Sequence, residues 1–498
     1  MTNPAVASSP RPGSSTEPWL FGMLAFGLAA VLARPVFYKT DGPDLLRMLS
    51  AGELHHPWQL AYLPLLELFR RGLAAIGLQP SLILLGELFS ALGAACGIAW
   101  FRAGLHRLQL PAMTARLATL LLLLNPGTLL FSRVVEFHAP LLGATGLAFW
   151  WATVQVARPT WQGMALLGAC THAAFLMHSS ALFLPAWLLP FFLARRWPRG
   201  QQRRDLRLAL LALAVHAAAF LLLPRLLPHC YGLYSDLHAA FSVEGSTGRP
   251  NSLDWLPSIF VQEWLWPLLP LSVLPLLALR RAGLRLELLA MALGMAPLLY
   301  ICVRLLVGEP EYGAYLLPML LPAALLTAQV LPPRWALLAV LASVPLATFT
   351  SIGEQMHGDL QRGAAWAAAV RAGAGGRPFL LLIGRHQELG WAFATLSPAE
   401  FLTVGPQAIL PRERFSAAVE AATLQGLAAV AAGRVLLATD GMLAALRDPA
   451  AVMREEHSAA IPPSTVLAGP LFLQALQQHY EFVPLPGAAA PLFRLQPK

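Results

Sequence analysis

Stretches of apolar residues separated by short polar breaks recur along most of the chain, at 19–38, 81–101, 112–131, 138–157, 162–179, 181–194, 208–227, 257–279, 286–306, 314–331 and 336–352. About 20 helical residues cross the ~30 Å hydrocarbon core of a bilayer, so the pattern predicts a polytopic α-helical membrane protein with about eleven transmembrane helices. The sixth stretch is short and merges readily with the fifth. Residues 1–16, rich in Ser, Pro and Thr, read as a disordered N-terminal tail. The first stretch is too long for a signal-peptide core and lacks a clear small-residue cleavage site, so it reads as a retained span. The transmembrane domain therefore covers 17–352.

Over 353–498 the period changes. Short β-like runs at Pro378–Ile383, Phe401–Val404, Arg434–Ala438, Tyr480–Val483 and Leu492–Leu495 alternate with helical stretches at 411–430 and 466–479. This predicts a small C-terminal α/β domain. Its glycines, in Ile383-Gly384-Arg385 and Thr439-Asp440-Gly441, match no phosphate-binding fingerprint, and the domain is given no catalytic role.

Composition excludes an ordinary soluble protein: of 498 residues 57% are hydrophobic and 12% charged, against roughly 25% charged in globular domains. The net charge is +9, with Lys39 and Lys498 the only lysines. In a soluble chain that excess would suggest nucleic acid; here it reflects arginine in alternate loops. One set of loops holds Arg102, Arg107 and Arg116, then Arg158, then Arg195, Arg196, Arg199, Arg203, Arg204 and Arg207, then Arg280, Arg281 and Arg285, then Arg334. Positive charge is retained on the cytoplasmic side. The alternation thus predicts a multi-pass protein of the cytoplasmic (inner) membrane with a cytoplasmic N-terminus and an extracytoplasmic C-terminal domain. Segments 39–80, 132–138, 228–256 and 307–313 then face outward, and 228–256, rich in Gly, Ser and Pro, suits a mobile cover. Four cysteines in so long a chain form no disulfide framework; Cys96, Cys170 and Cys302 fall in apolar runs and Cys230 in an exterior loop.

The most informative segment follows the first span: Lys39-Thr40-Asp41-Gly42-Pro43-Asp44-Leu45-Leu46-Arg47, running on to Gly52-Glu53-Leu54-His55-His56-Pro57-Trp58. Asp41 or Gly42 is suited to cap a helix with Pro43 and Asp44 in its first turn. Leu45, Leu46 and Leu49 give that helix an apolar side suited to the membrane surface. Capping alone accounts for both aspartates. Clustering points further, because Asp41, Asp44, Glu53, His55 and His56 share one loop, and Glu136, in Ser132-Arg133-Val134-Val135-Glu136-Phe137-His138, falls on the same face. Carboxylates at the low-dielectric boundary suit a general base, a metal or a phosphate-bearing ligand.

These residues carry a resemblance. The acidic pair after the first span, the helix ending in His56-Pro57, the second helix with Tyr62 and Pro64, and the span containing Leu88-Phe89-Ser90-Ala91-Leu92-Gly93-Ala94 together resemble the start of a GT-C membrane glycosyltransferase. The likeness is to bacterial relatives of the dolichyl-phosphate-mannose protein mannosyltransferases and covers residues 19–195. Glu136-Phe137 resembles an acidic-aromatic pair of their second exterior loop, and His178-Ser179 a His-Thr or His-Ser pair at the outer end of a later span. Where those relatives commonly carry His-Pro-Pro-Gly-Tyr-Pro, this chain has His56-Pro57-Trp58-Gln59-Leu60-Ala61-Tyr62-Leu63-Pro64.

The resemblance implies transfer of a sugar, with inversion, from a polyprenyl-phosphate-linked donor to an acceptor hydroxyl of a protein, lipid or glycan on the outer face. Such chemistry needs a base for the hydroxyl proton and stabilisation of the departing phosphate. Asp41 is the expected base, with Asp44 its nearest substitute and Glu136 the third acid. Lys39, Arg133 and Arg304 are the candidate phosphate cations, headgroup snorkelling being the alternative. A divalent metal held by Asp41, Asp44, Glu136 or a histidine is the other way to offset that charge; no cofactor is otherwise implied. His55, His56 and His178 are candidate substrate contacts, as are Trp58 and Tyr62 by stacking on a sugar, where a turn cap, an interhelical hydrogen bond or a membrane anchor would account for them equally. His172 and His216 sit deeper and read as packing with a hydrogen bond. The rival class is a polytopic transporter or flippase for a lipid-linked saccharide, which would place ionisable groups at the midplane and show two related halves.

Overall fold

The computed structural model describes residues 16–33, 41–56, 59–227, 256–305, 312–349, 351–397, 399–404, 425, 429, 432–449, 469–485 and 491–498. Side chains are described within these except at 41, 304–305, 344–345, 347–349, 351–360 and 386–387. The expected loop 228–256 therefore lies almost wholly outside the described residues, as do Lys39, Trp58, Cys230 and most of the helical stretch expected at 411–430.

Each expected apolar stretch contains helix. In chain order the helices are α1 (Glu17–Leu32), α2 (Asp41–Ser50), α3 (Tyr62–Ala75), α4 (Leu82–Arg107), α5 (Ala112–Leu123), α6 (Pro126–Phe131), α7 (His138–Ala157), α8 (Trp161–Met177), α9 (Pro185–Arg196) and α10 (Gln202–Leu226), followed by α11 (Arg285–Leu305), α12 (Leu320–Val330), α13 (Pro333–Phe349) and α14 (Ser351–Ala374). Among the described residues three helical segments are by themselves long and apolar enough to cross a membrane: Leu82–Arg107, Gln202–Leu226 and Ala282–Val303. Outward faces are apolar, as with Leu206, Leu210, Leu213 and Leu221 of α10, all exposed. Such a surface suits lipid rather than water.

Small residues set the closest packing. α4 and α7 run parallel, with their backbones touching through glycines: a Cβ at Gly143 would stand 2.7 Å from the Gly93 carbonyl oxygen, and one at Gly146 2.7 Å from that of Gly97. Small residues at such crossings let helices approach without a hydrophobic driving force. α1 lies antiparallel to α4, Gly22 against Ala95 and Ala99, and that brings Glu17 to Arg102 (2.6 Å) and Arg116 (2.7 Å). The arginine-bearing ends meet elsewhere too: Arg195 pairs with Glu287 at 2.7 Å and Arg196 with Asp205 at 3.1 Å. Arg199 donates to the carbonyls of Val156 and Ala157. These arginines and their counter-acids thus collect at one end of the bundle.

Segment 257–279 departs from the expected regular span. It runs as a turn at Leu256–Ile259, a π-helical turn at Phe260–Leu265 and a 3-10 helix at Leu274–Arg280. Pro257, Pro267, Pro270 and Pro275 explain the break, since each removes an N–H and clashes with the preceding turn. The stretch 112–131 is likewise cut at Asn125-Pro126, where the Asn125 side chain accepts from the Gly127 N–H at 3.0 Å and caps α6.

The five short β-like runs of the C-terminal region are its five strands: β1 (Phe379–Ile383), β2 (Phe401–Thr403), β3 (Val435–Thr439), β4 (Tyr480–Pro484) and β5 (Leu492–Pro497). The order is β2-β1-β3-β5-β4, parallel across the first three and antiparallel across the last three. Every residue of β1 and β3 is buried, as expected for strands covered on both faces. The covering helices include α14, α15 (His386–Thr395), α16 (Asp440–Arg447) and α17 (Gly469–His479). α15 also packs on α2, and its Phe393 and Ala394 join the core of the helical bundle.

Candidate active site

Helix α2 forms where the sequence places it, with Asp41 as first residue. Its apolar side faces differently from expectation. Leu45, Leu46 and Leu49 are buried in the protein core instead of lying on a membrane surface, because α15, some 340 positions later, and α4 close over them. The polar side is organised by Arg47, whose Nε donates to Asp44 Oδ1 at 3.0 Å while another guanidinium nitrogen lies 3.7 Å from Glu53. His56 sits within electrostatic range of both Asp44 and Arg47. Burial, aided by the Arg47 charge and opposed by Asp44, pushes its pKa down to about 4. His56 is therefore a neutral imidazole at pH 7.

Glu136 is delivered by the glycine-rich face of α4. The turn before α7 packs Val135 against Gly86, where a Cβ would stand 2.7 Å away, and Ser90 Oγ donates to the Glu136 carbonyl at 3.1 Å. The Glu136 side chain is 2% exposed. Beside it lies Tyr62, the first residue of α3, fully buried, its phenol pKa raised by burial and by the Glu136 charge. The Tyr62 ring meets Phe89 at 5.5 Å and Phe137 at 6.4 Å, both edge-on.

The rings continue. Phe137 stacks on His178 at 4.5 Å and 8°, and His138 stands 5.2 Å from His178. Tyr315 closes the group at 5.1 Å from His178 and 5.9 Å from His138. His178 ends α8 in extended conformation; its Nδ1 accepts from the Ser180 N–H at 3.2 Å and lies 2.8 Å from Ser180 Oγ. An accepting Nδ1 leaves the ring proton on Nε2. His178 is also within electrostatic range of His56.

One cluster thus joins Asp44, His56, His178, Glu136 and Tyr62, which the sequence spreads over more than 130 positions. His55 is exposed at the edge of the same loop, and Arg133 is half-buried three residues before Glu136. Lys39 and Trp58 lie outside the described residues, as do the side chains of Asp41 and Arg304. Among the described residues no three His, Cys, Asp or Glu side chains converge as a metal would require. His172 and His216 pack between α8 and α10, where Thr171 Oγ1 lies 3.2 Å from His216 Nδ1.

Three residues in or beyond the cluster were not singled out from sequence. His138 directly follows the quoted Glu136-Phe137 pair, a signal available but not used. Tyr315 lies in the 3-10 helix Ala314–Met319, at the start of an apolar stretch that offers no local signal of a site. Glu263 is a lone acid in an apolar stretch; it is fully buried and its Oε2 accepts from the Gly313 N–H at 2.9 Å. Beside the cluster, an apolar groove of about 430 Å³ separates α3 from α4, lined by Leu65, Leu68, Phe69, Gly72, Ile76 and Phe89 among others. Phe89 is a wall shared by groove and cluster.

No protein-family profile matches this chain, nor does any curated protein by sequence. Its fold matches that of a solved structure. The similarity is to ArnT from Cupriavidus metallidurans, crystallised bound to undecaprenyl phosphate, with a TM-score of 0.55 and 13% identity over 97% of this chain and 98% of that one. The fold likeness covers nearly the whole chain, reaching well past residues 19–195.

Proposed function

We propose that this chain is a GT-C glycosyltransferase of the cytoplasmic membrane, moving a sugar from a polyprenyl-phosphate-linked donor to a hydroxyl of a protein, lipid or glycan acceptor on the outer face. The observation that carries the reading is the fold shared with ArnT, a protein solved with undecaprenyl phosphate, over 97% of this chain. Eleven crossings, a cytoplasmic N-terminus and an extracytoplasmic α/β domain over 353–498 complete the proposed topology. The arginine-bearing ends are then cytoplasmic, and the Glu136 cluster lies at the outer edge.

In this reading a carboxylate removes the acceptor proton as the oxygen attacks the anomeric carbon, and the polyprenyl phosphate departs. Asp41, at the start of α2, is the base. Asp44 has one oxygen engaged by Arg47, which makes it the poorer substitute, and Glu136 is the second acid of the site. Lys39, Arg133 and Arg304 offset the phosphate charge, since cationic donors favour phosphate oxygens most where water is excluded. A divalent ion on Asp41, Asp44 or Glu136 would supply the same stabilisation. His178 Nε2–H and neutral His56, with His55, Trp58 and Tyr62, orient the sugar. The groove between α3 and α4 takes the isoprenoid units nearest the phosphate, because its wall Phe89 also touches Tyr62.

The test supplies purified protein in nanodiscs with a radiolabelled polyprenyl-phosphate sugar and membrane extract, and compares wild type with Asp41→Asn, Asp44→Asn and Glu136→Gln. Label transfer by wild type and its loss in Asp41→Asn and Glu136→Gln, with folding intact, is the expected result. Full activity in all three variants would reject the site.

A further inference from the structure

Glu263 has no place in the proposed chemistry, yet it is 0% exposed in the helical bundle. It lies on the π-helical turn Phe260–Leu265, a geometry that widens the helix by one residue per turn and re-aims its side chains. That turn directs the carboxylate at the N–H of Gly313, which it accepts at 2.9 Å. Gly313 is the cap of the 3-10 helix Ala314–Met319 and has φ +87°; Tyr312 before it has φ +45°. Two successive left-handed residues, the first of them a tyrosine, form a turn that persists only where its surroundings hold it. The surroundings are tight, since a Cβ on Gly313 would stand 2.9 Å from Leu268 and 3.0 Å from the Glu263 carbonyl oxygen. Two residues beyond this turn is Tyr315, whose ring stands 5.1 Å from His178.

We propose that Glu263 is the positioning residue for Tyr315: its carboxylate holds the Tyr312-Gly313 turn, and the turn sets the Tyr315 ring against His178 and His138. Glu263 touches no reacting atom and acts through this turn. Tyr315 stands 5.1 Å from His178, which the function proposed above puts in the donor site, so a part for Tyr315 in ligand binding rests on that reading; the role of Glu263 in ordering the turn does not.

The test uses the full-length protein in nanodiscs with three variants. Glu263→Gln keeps a side-chain oxygen able to accept from the Gly313 N–H, Glu263→Leu does not, and Tyr315→Ala removes the ring alone. Two readouts are taken: amide hydrogen exchange of the peptide spanning 312–319, and affinity for undecaprenyl phosphate. Loss of this buried hydrogen bond should speed exchange there by several-fold or more, up to roughly tenfold, in Glu263→Leu, with Glu263→Gln near wild type. Undecaprenyl phosphate affinity should fall to a similar degree in Glu263→Leu and Tyr315→Ala, and the double variant should be no weaker than Tyr315→Ala. Unchanged exchange in Glu263→Leu, or fully additive losses of affinity, would overturn the proposal. If Glu263→Leu does not fold, Glu263→Gln and Tyr315→Ala still decide it: exchange raised by Glu263→Gln while oxygen acceptance is kept rejects the hydrogen bond as the cause. Wild type that binds no undecaprenyl phosphate removes the function proposed above, and the exchange readout alone then decides the role of Glu263.

Discussion

At the arginine-bearing end of the bundle, Glu17, Asp205 and Glu287 each receive guanidinium hydrogen bonds from partners distant in sequence or from the next helix. At the opposite end Asp44 faces an imidazole as well as Arg47, and Glu136 lies against a phenol in a wall of rings. The first arrangement pins helix ends together through guanidinium–carboxylate hydrogen bonds. The second gathers ionisable groups among aromatic rings. Buried polar groups placed for packing should therefore fail by unfolding, and those of the cluster by loss of chemistry.

The largest separation is expected between Glu136→Gln and Arg196→Ala. Removing an acid that takes part in proton transfer costs about 10²–10⁴ in rate, so Glu136→Gln should abolish detectable sugar transfer while the thermal midpoint stays near wild type. Arg196→Ala leaves Asp205, 2% exposed, without its bidentate partner. Stranding such a buried charge costs about 3–5 kcal/mol, readable as a lowered midpoint, with turnover per folded molecule unchanged. Transfer lost equally in both variants, at equal midpoints, would break the comparison.

A smaller effect comes from His56. Its pKa is about 4 in the folded protein against an ordinary value of 6.5. Below 6.5 the unfolded chain takes up a proton that the folded protein refuses until about pH 4, so the stability contributed by neutral His56 is present above 6.5 and lost as pH falls through that window. One such group gives a slope of at most about 1.4 kcal/mol per pH unit. Midpoints measured from pH 7.5 to 4 should fall more steeply in wild type than in His56→Gln, with the difference confined to that interval. Parallel curves would show that burial of His56 is not the cause.

Local rules carried far. The capping and charge pattern at Asp41-Gly42-Pro43-Asp44 predicts α2, and short β-like runs set between helical stretches predict the strands, since both signals lie within a few residues of the element they specify. Glu136 and His178 were legible because they resemble family pairs. What covers Leu45, Leu46 and Leu49 was not legible, because an amphipathic side looks the same whether it meets lipid or α15. Nor was the ring group of Phe137, His138, His178 and Tyr315, which depends on α7, α8 and the turn before Tyr315 converging at one end. The π turn of Glu263 was hidden in a stretch that hydropathy alone reads as a plain span. Prolines signalled that this stretch breaks but not where its carboxylate would point.

The smallest predicted effect concerns the groove beside the cluster. Gly72 lines it on α3, and a Cβ there would meet nothing within 4 Å, so Gly72→Leu places its Cβ freely and removes a helix penalty of about 0.5–1 kcal/mol. Stability should hold or rise slightly. The added side chain nevertheless occupies space that the proposed isoprenoid chain needs, and burial of a few methylene groups at about 0.8 kcal/mol each is forfeited by a ligand that can no longer lie there. Affinity for undecaprenyl phosphate should then drop several-fold, while a two-isoprene phosphate too short to reach Gly72 should bind as it does to wild type. Equal weakening of both ligands would mean that the substitution acts on the cluster through Phe89. Equal binding of both would mean that ordinary bilayer lipid fills the groove and that the polyprenyl chain leaves the site by another face.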